Sequence, residues 1–263
     1  MDLGLKGRVA LVAAASKGLG RATATELARE GASVIICARG TESLDRARRE
    51  IVEATGADVR AVTADVSERT GIERLISEAM QHFGRVDILV TNAGGPPAGT
   101  FDVHQWDAWQ RAVDLTLRSV VELTRGVLPG MRERGWGRII SINSIAAKQP
   151  VDNLMLSNSI RAAITGFLRT LATEVATFGI TVNSILPGYT LTERIDELAA
   201  ANAARDGVSQ QEVLSRIAND IPMTRLGDPR ELGALAAFLA SERAGYITAQ
   251  AIAVDGGWIR ALM

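Results

Sequence analysis

The chain has 263 residues, 29 Lys+Arg against 30 Asp+Glu, a formal net charge of -1 and 47% hydrophobic residues. These values fit a soluble globular protein with a core of ordinary size, either one large α/β domain or two small ones. They exclude a global field for nucleic acid or an anionic membrane, and the single cysteine excludes an internal disulfide.

In chain order, MDLGLKGRVALVAAASKGLG is broken early by glycine and charge, so no membrane span is expected and a cytoplasmic location is. RVALVAA (8–14) reads as the first strand, and LGRATATELAREG as a helix capped at Gly31. SVIICA (33–38) is the second strand, in which Cys37 reads as a buried structural thiol in a reducing compartment. The arginines of RARRE (46–50) read as a solvated helix face rather than a nucleic-acid patch. DVRAVTA (58–64), VDILVT (86–91), GRIISIN (137–143), ITVNSIL (180–186) and AIAVD (251–255) complete seven strands. Most are continuous apolar runs, as in parallel strands covered on both faces. Residues 154–178 read as a helix with Ile160, Ile164, Phe167, Leu168, Leu171 and Val175 near one face, ended by Gly179.

This alternation predicts an α/β fold, a doubly wound parallel sheet of seven strands in a single domain over 1–263. Residues 189–228 interrupt the march with two helical pieces and no strand. An excursion at the carboxyl end of a strand suits a substrate lid, the alternative being a helical decoration or an oligomer contact.

The first strand runs into AASKGLGRATATELA, where Gly18 and Gly20 open a helix. Free N–H groups and the helix dipole at that end hold a pyrophosphate, and glycine lets ligand and strand approach the backbone. Here the chain resembles the short-chain dehydrogenase/reductase family, with its Rossmann-type fold. The family's phosphate loop, T-G-x-x-x-G-x-G, corresponds to AAASKGLG (13–20), with Ala13 and Ala14 for the threonine and first glycine. A left-handed conformation at Ala14 would cost roughly 1–2 kcal/mol, so a right-handed turn of slightly altered shape is expected.

The resemblance extends over nearly the whole chain through TADVS (63–67), TNAGG (91–95), NSILPGYTLTE (183–193) and AVDGGW (253–258). It implies a dinucleotide site of Ala14, Ser16, Lys17, Gly18, Leu19, Gly20, Asp65, Val66, Asn92, Ala93, Gly94, Pro187, Gly188, Thr190 and Thr192, with Arg161 on the ribose side. Asp65 would read the adenine edge and Thr192 the nicotinamide carboxamide. Within the family the chain resembles a divergent β-ketoacyl-acyl-carrier-protein reductase-like subgroup. The second strand ends in CARG without the carboxylate of NAD enzymes, and Arg39, with Lys17, suits a 2′-phosphate. NADP(H) is the expected cofactor, with NAD(H) possible and two solvent-facing charges as the bland alternative.

The family's proton relay is an asparagine, a serine, a tyrosine and a lysine. Ser144 in SINSIAA occupies the serine position, and counting onward places Ser157 at the tyrosine, Arg161 at the lysine and Asp114 at the asparagine. An aliphatic hydroxyl is a far weaker acid than a phenol, and arginine stays protonated where lysine can shuttle a proton. Asp114 and Arg161 are expected to form a salt bridge, directly or through water. Replacement proton donors are Tyr189, whose alternative role is packing beneath the lid, and Lys148, whose alternative is an exposed loop lysine. His82 and His104 read as surface residues and Tyr246 as structural. No clustered His/Cys set calls for a metal, and Ser144 has no nearby His and acid for a hydrolase triad.

Two functions remain open. One is an NADP(H)-dependent, 3-oxoacyl-reductase-like oxidoreductase acting on a small-molecule carbonyl or alcohol, including an acyl thioester. The other is a catalytically silent dinucleotide-binding scaffold, sensor or hetero-oligomer subunit. The resemblance further implies a homotetramer or homodimer through helices 104–130 and 154–178, the last strand and the tail GGWIRALM.

Overall fold

Seven short apolar runs alternating with amphipathic ones become one sheet with helices on both faces. The computed structural model describes residues 2–261, so Leu262 and Met263 of the predicted interface tail lie outside the described residues. The strands are β1 (Val9–Val12), β2 (Ser33–Ala38), β3 (Val59–Thr63), β4 (Ile88–Thr91), β5 (Gly137–Ile142), β6 (Ile180–Pro187) and β7 (Ala251–Val254). They lie in the order β3-β2-β1-β4-β5-β6-β7, every pair parallel. This is the expected seven-stranded doubly wound sheet.

The intervening helices are α1 (Gly18–Arg29), α2 (Thr41–Thr55), α3 (Arg69–Phe83), α4 (Trp106–Ala112), α5 (Ser119–Arg134), α6 (Met155–Val175), α7 (Glu193–Asp206), α8 (Gln210–Asp220) and α9 (Pro229–Ala240). Alternation along β1 shows why its residues must all be apolar. Ala10 and Val12 pack with α1, α2 and α9, whereas Val9 and Leu11 pack with α3, α5 and α6. Burying a Val, Leu or Ile side chain contributes about 1.5–3 kcal/mol, and here neither face of the strand is left to water. Cys37 belongs to the second of these layers, and burial pushes its thiol up to about 12, which makes it inert near neutrality.

Left-handed glycines stop two helices as predicted: Gly31 at φ 91 follows α1, and Gly179 at φ 69 follows α6 and its short 3-10 extension. Between α4 and α5 the helix does not break but widens into a π-helical segment, Val113–Arg118. Such segments recur at functional sites, and this one carries Asp114.

Two sequence expectations fail. His104 is 9% exposed rather than a surface residue, because the 3-10 turn Phe101–Val103 folds the chain back so that its ring abuts Gly99. Tyr246 is fully exposed rather than structural, since it follows the turn Glu242–Ala244 before β7 begins.

Strand order reverses its direction at β1, which has β2 on one side and β4 on the other. Loops leaving the carboxyl ends of β1 and β4 therefore diverge and open a crevice, the usual ligand position in such sheets. Helices α7 and α8 follow β6 over this end, with a small apolar contact of their own through Ala199, Ala203 and Val213. The loop before them is tied down where Leu191 N donates to Gly227 O at 2.9 Å and Gly227 N to Tyr189 O at 2.9 Å. Among the described residues no helix is long and apolar enough to cross a membrane.

Candidate active site

The loop from β1 to α1 is built on a strained residue. Ala14 has φ 49, so the expected right-handed turn does not form. Its geometry follows from close packing: Ala15 N donates to Cys37 O at 2.9 Å, and Asn92 Nδ2 donates to Ala14 O at 3.2 Å. A methyl group on Gly20 would sit 2.4 Å from that same carbonyl oxygen, which explains why this position is glycine. Ser16 and Leu19 are half-buried, and the extended Lys17 caps α1 with its side chain exposed. Substituting Ala14→Gly should relieve the left-handed strain and raise stability by about 1 kcal/mol after the added unfolded-state entropy is subtracted. Chemical denaturation checks this, and no gain would mean that alanine sits there unstrained.

Other cofactor candidates surround this loop. Arg39 is exposed beyond the end of β2, without an ion-pair partner among the described residues. Asp65 uses Oδ1 to accept from Ser67 N at 2.9 Å and Ser67 Oγ at 2.7 Å, leaving its second oxygen uncommitted, and Val66 is buried beside it. Ala93 and Gly94 follow Asn92 at the end of β4. Pro187 ends β6. A methyl on Gly188 would lie 2.7 Å from Asp255 Cβ, so the loop passes close to the strand beyond. Thr190 is buried, and Thr192 caps α7 while its Oγ1 donates to Thr190 O at 3.2 Å. Gly18 and Thr192 come together: a methyl on Gly18 would meet Thr192 Cγ2 at 3.4 Å. Thus α7 starts directly over the phosphate loop.

The catalytic positions converge only in part. Ser144 begins the turn Ile145–Ala147, and its Oγ accepts from Ala146 N at 3.1 Å, leaving the hydroxyl proton to donate elsewhere. Ser157 is half-buried near the start of α6, and its side chain makes no protein hydrogen bond among the described residues. One turn on, Arg161 is 8% exposed, and its Nη1 donates to Ile142 O at 3.2 Å. Asn143 steadies the same helix, donating from Nδ2 to Arg161 O at 3.1 Å and Thr165 Oγ1 at 3.1 Å.

The expected Asp114–Arg161 salt bridge does not form by direct contact. Asp114 pairs instead with Arg118 Nη1 at 3.0 Å, its neighbour one turn along, while Arg161 turns toward β5. The local partner wins because an i,i+4 pair needs little side-chain ordering. Burial, with Arg194 nearby, lowers Arg161 to about 10, so it remains a cation at neutral pH.

Neither proposed replacement donor is well placed in energy or position. Tyr189 packs edge-on against Trp258 at 5.8 Å in a cavity of about 430 Å³ that also meets Asp152 and Asp220. Burial and those carboxylates raise its pKa, the wrong direction for an acid at neutral pH. Lys148 is exposed at the end of the Ile145–Ala147 turn.

Sequence reasoning missed Arg194. It leaves the first turn of α7 and donates from Nη2 to Pro96 O at 2.9 Å, tying α7 to the loop after β4. One signal was present: a cation in the first turn of a helix opposes the helix dipole and calls for a compensating role.

A doubly wound sheet with a glycine-bearing turn at its switch point and a polar cluster beyond β4 and β5 defines a Rossmann-type α/β fold. A family described as Enoyl-(Acyl carrier protein) reductase matches residues 13–259. A putative ketoacyl reductase of Streptomyces coelicolor is 36% identical over 251 residues, covering 95% of this chain and 96% of the relative. The L-sorbose reductase of Gluconobacter frateurii, solved with NADPH and L-sorbose, superposes with a TM-score of 0.95 at 37% identity, covering 100% of both chains. An actinorhodin polyketide ketoreductase solved with NADPH gives 0.93 at 35% identity, covering 97% of this chain and 98% of that one. The chain belongs to the short-chain dehydrogenase/reductase family.

Proposed function

We propose that this chain is an NADP(H)-dependent oxidoreductase of a carbonyl/alcohol pair, of the 3-oxoacyl-reductase kind, working without the family's tyrosine and lysine. The observation that carries the reading is the strained cradle at Ala14, closed by Gly20 and Asn92. Strain of this kind persists where a function uses the geometry. The NADPH complexes of similar reductases support the same cofactor here.

The residues present fit that cofactor. The N-terminus of α1 with Lys17 would hold the pyrophosphate, Arg39 the 2′-phosphate, and the unpartnered Nε of buried Arg161 the ribose side. NADPH, when bound, supplies the hydride. Ser144 donates its free hydroxyl proton to the substrate oxygen and fixes its orientation. Arg161 stabilises the negative charge that develops there, a preorganised role that requires no proton transfer from it. Water then restores the proton, and the missing acid makes turnover slower by about 10²–10⁴-fold than a tyrosine would allow.

A second reading, a silent dinucleotide-binding scaffold, is favoured by the inward bond of Arg161 to Ile142 and by the unpartnered Ser157. Calorimetric titration with NADPH and NADH, followed by NADPH oxidation against a panel of ketones, separates the two. We expect micromolar NADPH affinity, at least about tenfold weaker NADH binding, and loss of that preference in Arg39→Ala. Binding without any turnover supports the scaffold, and equal affinity for both nucleotides refutes the assignment of Arg39.

A further inference from the structure

The cavity beside Tyr189 carries a charge pattern that neither the cofactor nor the hydride step uses. It encloses about 430 Å³ between the loop after β5, the loop after β6, helices α7 and α8, and the segment after β7. Its walls are held in place. Asn158, the neighbour of Ser157, grips the loop after β5: its Oδ1 accepts from Val151 N at 3.1 Å and its Nδ2 donates to Val151 O at 3.0 Å. In the segment after β7, the carboxylate of Asp255 accepts from Gly257 N at 3.0 Å and Ile259 N at 2.8 Å, which fixes Trp258 between them. Arg260 N donates to Gln149 Oε1 at 3.2 Å and joins these two walls. Gln149 N in turn donates to Ile145 O at 3.0 Å, so the cavity adjoins the turn that Ser144 caps.

Two carboxylates line this space, Asp152 and Asp220, and among the described residues neither side chain makes an ion pair or a hydrogen bond. Asp220 is also the last residue of α8, where the helix dipole already places negative charge, so a carboxylate there is unfavourable by itself. The one cation in the lining, Arg205, is committed to Asp206 by contacts of 2.7 and 3.3 Å. Tyr189 remains an uncharged phenol at neutral pH, and with Trp258, edge-on at 5.8 Å, it supplies an aromatic wall. Free carboxylates, a helix C-terminus and two aromatic rings, with no free cation among them, suit an organic cation. A bare metal ion suits the cavity less well, since among the described residues no three His, Cys, Asp or Glu side chains converge.

We infer that this cavity binds an ammonium group carried by the substrate, so that the preferred substrate is a ketone bearing an amine that is protonated at neutral pH. Its carbonyl lies at Ser144, and its cation lies among Asp152, Asp220 and the two rings. The inference rests on the reductase reading for the position of the carbonyl, and it assigns Asp152 and Asp220 as specificity-determining residues. Both carboxylates are solvent-exposed at the rim of the cavity, so their attraction is partly screened and the expected preference is moderate.

5-(Dimethylamino)pentan-2-one, protonated at neutral pH, and 6-methylheptan-2-one have the same shape and differ by a charged nitrogen in place of a carbon. Each is titrated by calorimetry, at low salt, into the protein with NADP+ present, where no hydride can be delivered. The cationic ketone is expected to bind at least about tenfold more tightly. That ratio should fall to within about threefold when Asp152→Asn and Asp220→Asn are combined, whereas Asp220→Glu, which keeps the charge, should retain it. In wild type the ratio should also shrink at about 1 M salt, where the screening length is about 3 Å, so wild type alone decides if a variant folds poorly. Equal binding of the two ketones, binding of neither, or a preference that survives the double exchange or the salt overturns the inference. NADPH oxidation with the neutral ketone, measured in parallel, tests the reductase reading by itself: its failure with the cation preference intact removes the reaction and leaves the cation site.

Discussion

Introducing Ser157→Tyr and Arg161→Lys together should raise kcat/KM for NADPH-dependent reduction of a neutral ketone by about 10²–10⁴-fold, the usual contribution of a positioned general acid. Position 157 is half-buried near the start of α6 and its side chain makes no protein hydrogen bond among the described residues, so a phenol there displaces no existing partner. Four residues on, an ammonium replaces a guanidinium that is tied to Ile142 O, and it lowers the phenol's pKa toward the working range. Ser157→Tyr alone should give much less, since arginine retains its inward bond and its bulk beside the new ring. Steady-state kinetics of wild type, both single variants and the double variant make the test. A double variant no faster than wild type would show that Ser144 and water already supply the proton at full rate.

Gly20→Ala should abolish measurable nucleotide binding in the micromolar range, a loss of at least about 100-fold, while lowering stability by about 1–3 kcal/mol. In an exposed helix this exchange stabilises by about 0.8–1 kcal/mol through propensity alone. Position 20 differs because its new methyl would stand 2.4 Å from Ala14 O and 2.8 Å from Asn92 Nδ2. A backbone carbonyl held in a left-handed turn cannot swing aside as a flexible side chain would, so the N-terminus of α1 must move. Gly166→Ala on α6 provides the contrast: nothing lies within 4 Å of the added methyl, so stability should rise and NADPH affinity should hold. Thermal melting and calorimetry read both variants. Retained affinity in Gly20→Ala would mean that the cradle does not hold the phosphates.

Much of this was readable without coordinates, and for a local reason. Strands covered on both faces must be apolar at every position, so VALV and SVIICA identify themselves, and left-handed glycines such as Gly31 and Gly179 mark the helix ends. The apolar periodicity of α6 likewise marks its buried face, while the assignment of Ser157 and Arg161 to the tyrosine and lysine positions came from the resemblance to the family.

Other features depended on choices between partners that spacing does not decide. Asp114 was expected to meet Arg161, but it pairs with Arg118 four residues along its own helical segment. Ala14 had two backbone conformations available, and the approach of Asn92 and Gly20 selected the strained one. His104 was buried by a turn that no periodicity announced. Arg194 gained its place only because α7 folds back over the loop after β4, 98 positions away in sequence from its partner Pro96. The sequence by itself therefore determined the sheet and the helix ends, because each is set by local propensity and residue type, and the resemblance to the family marked where its tyrosine and lysine are replaced. Tertiary structure alone decided where the charges end up, because a buried cation takes its partner from whatever the folded chain brings near, and around Arg161 that is a carbonyl and another arginine.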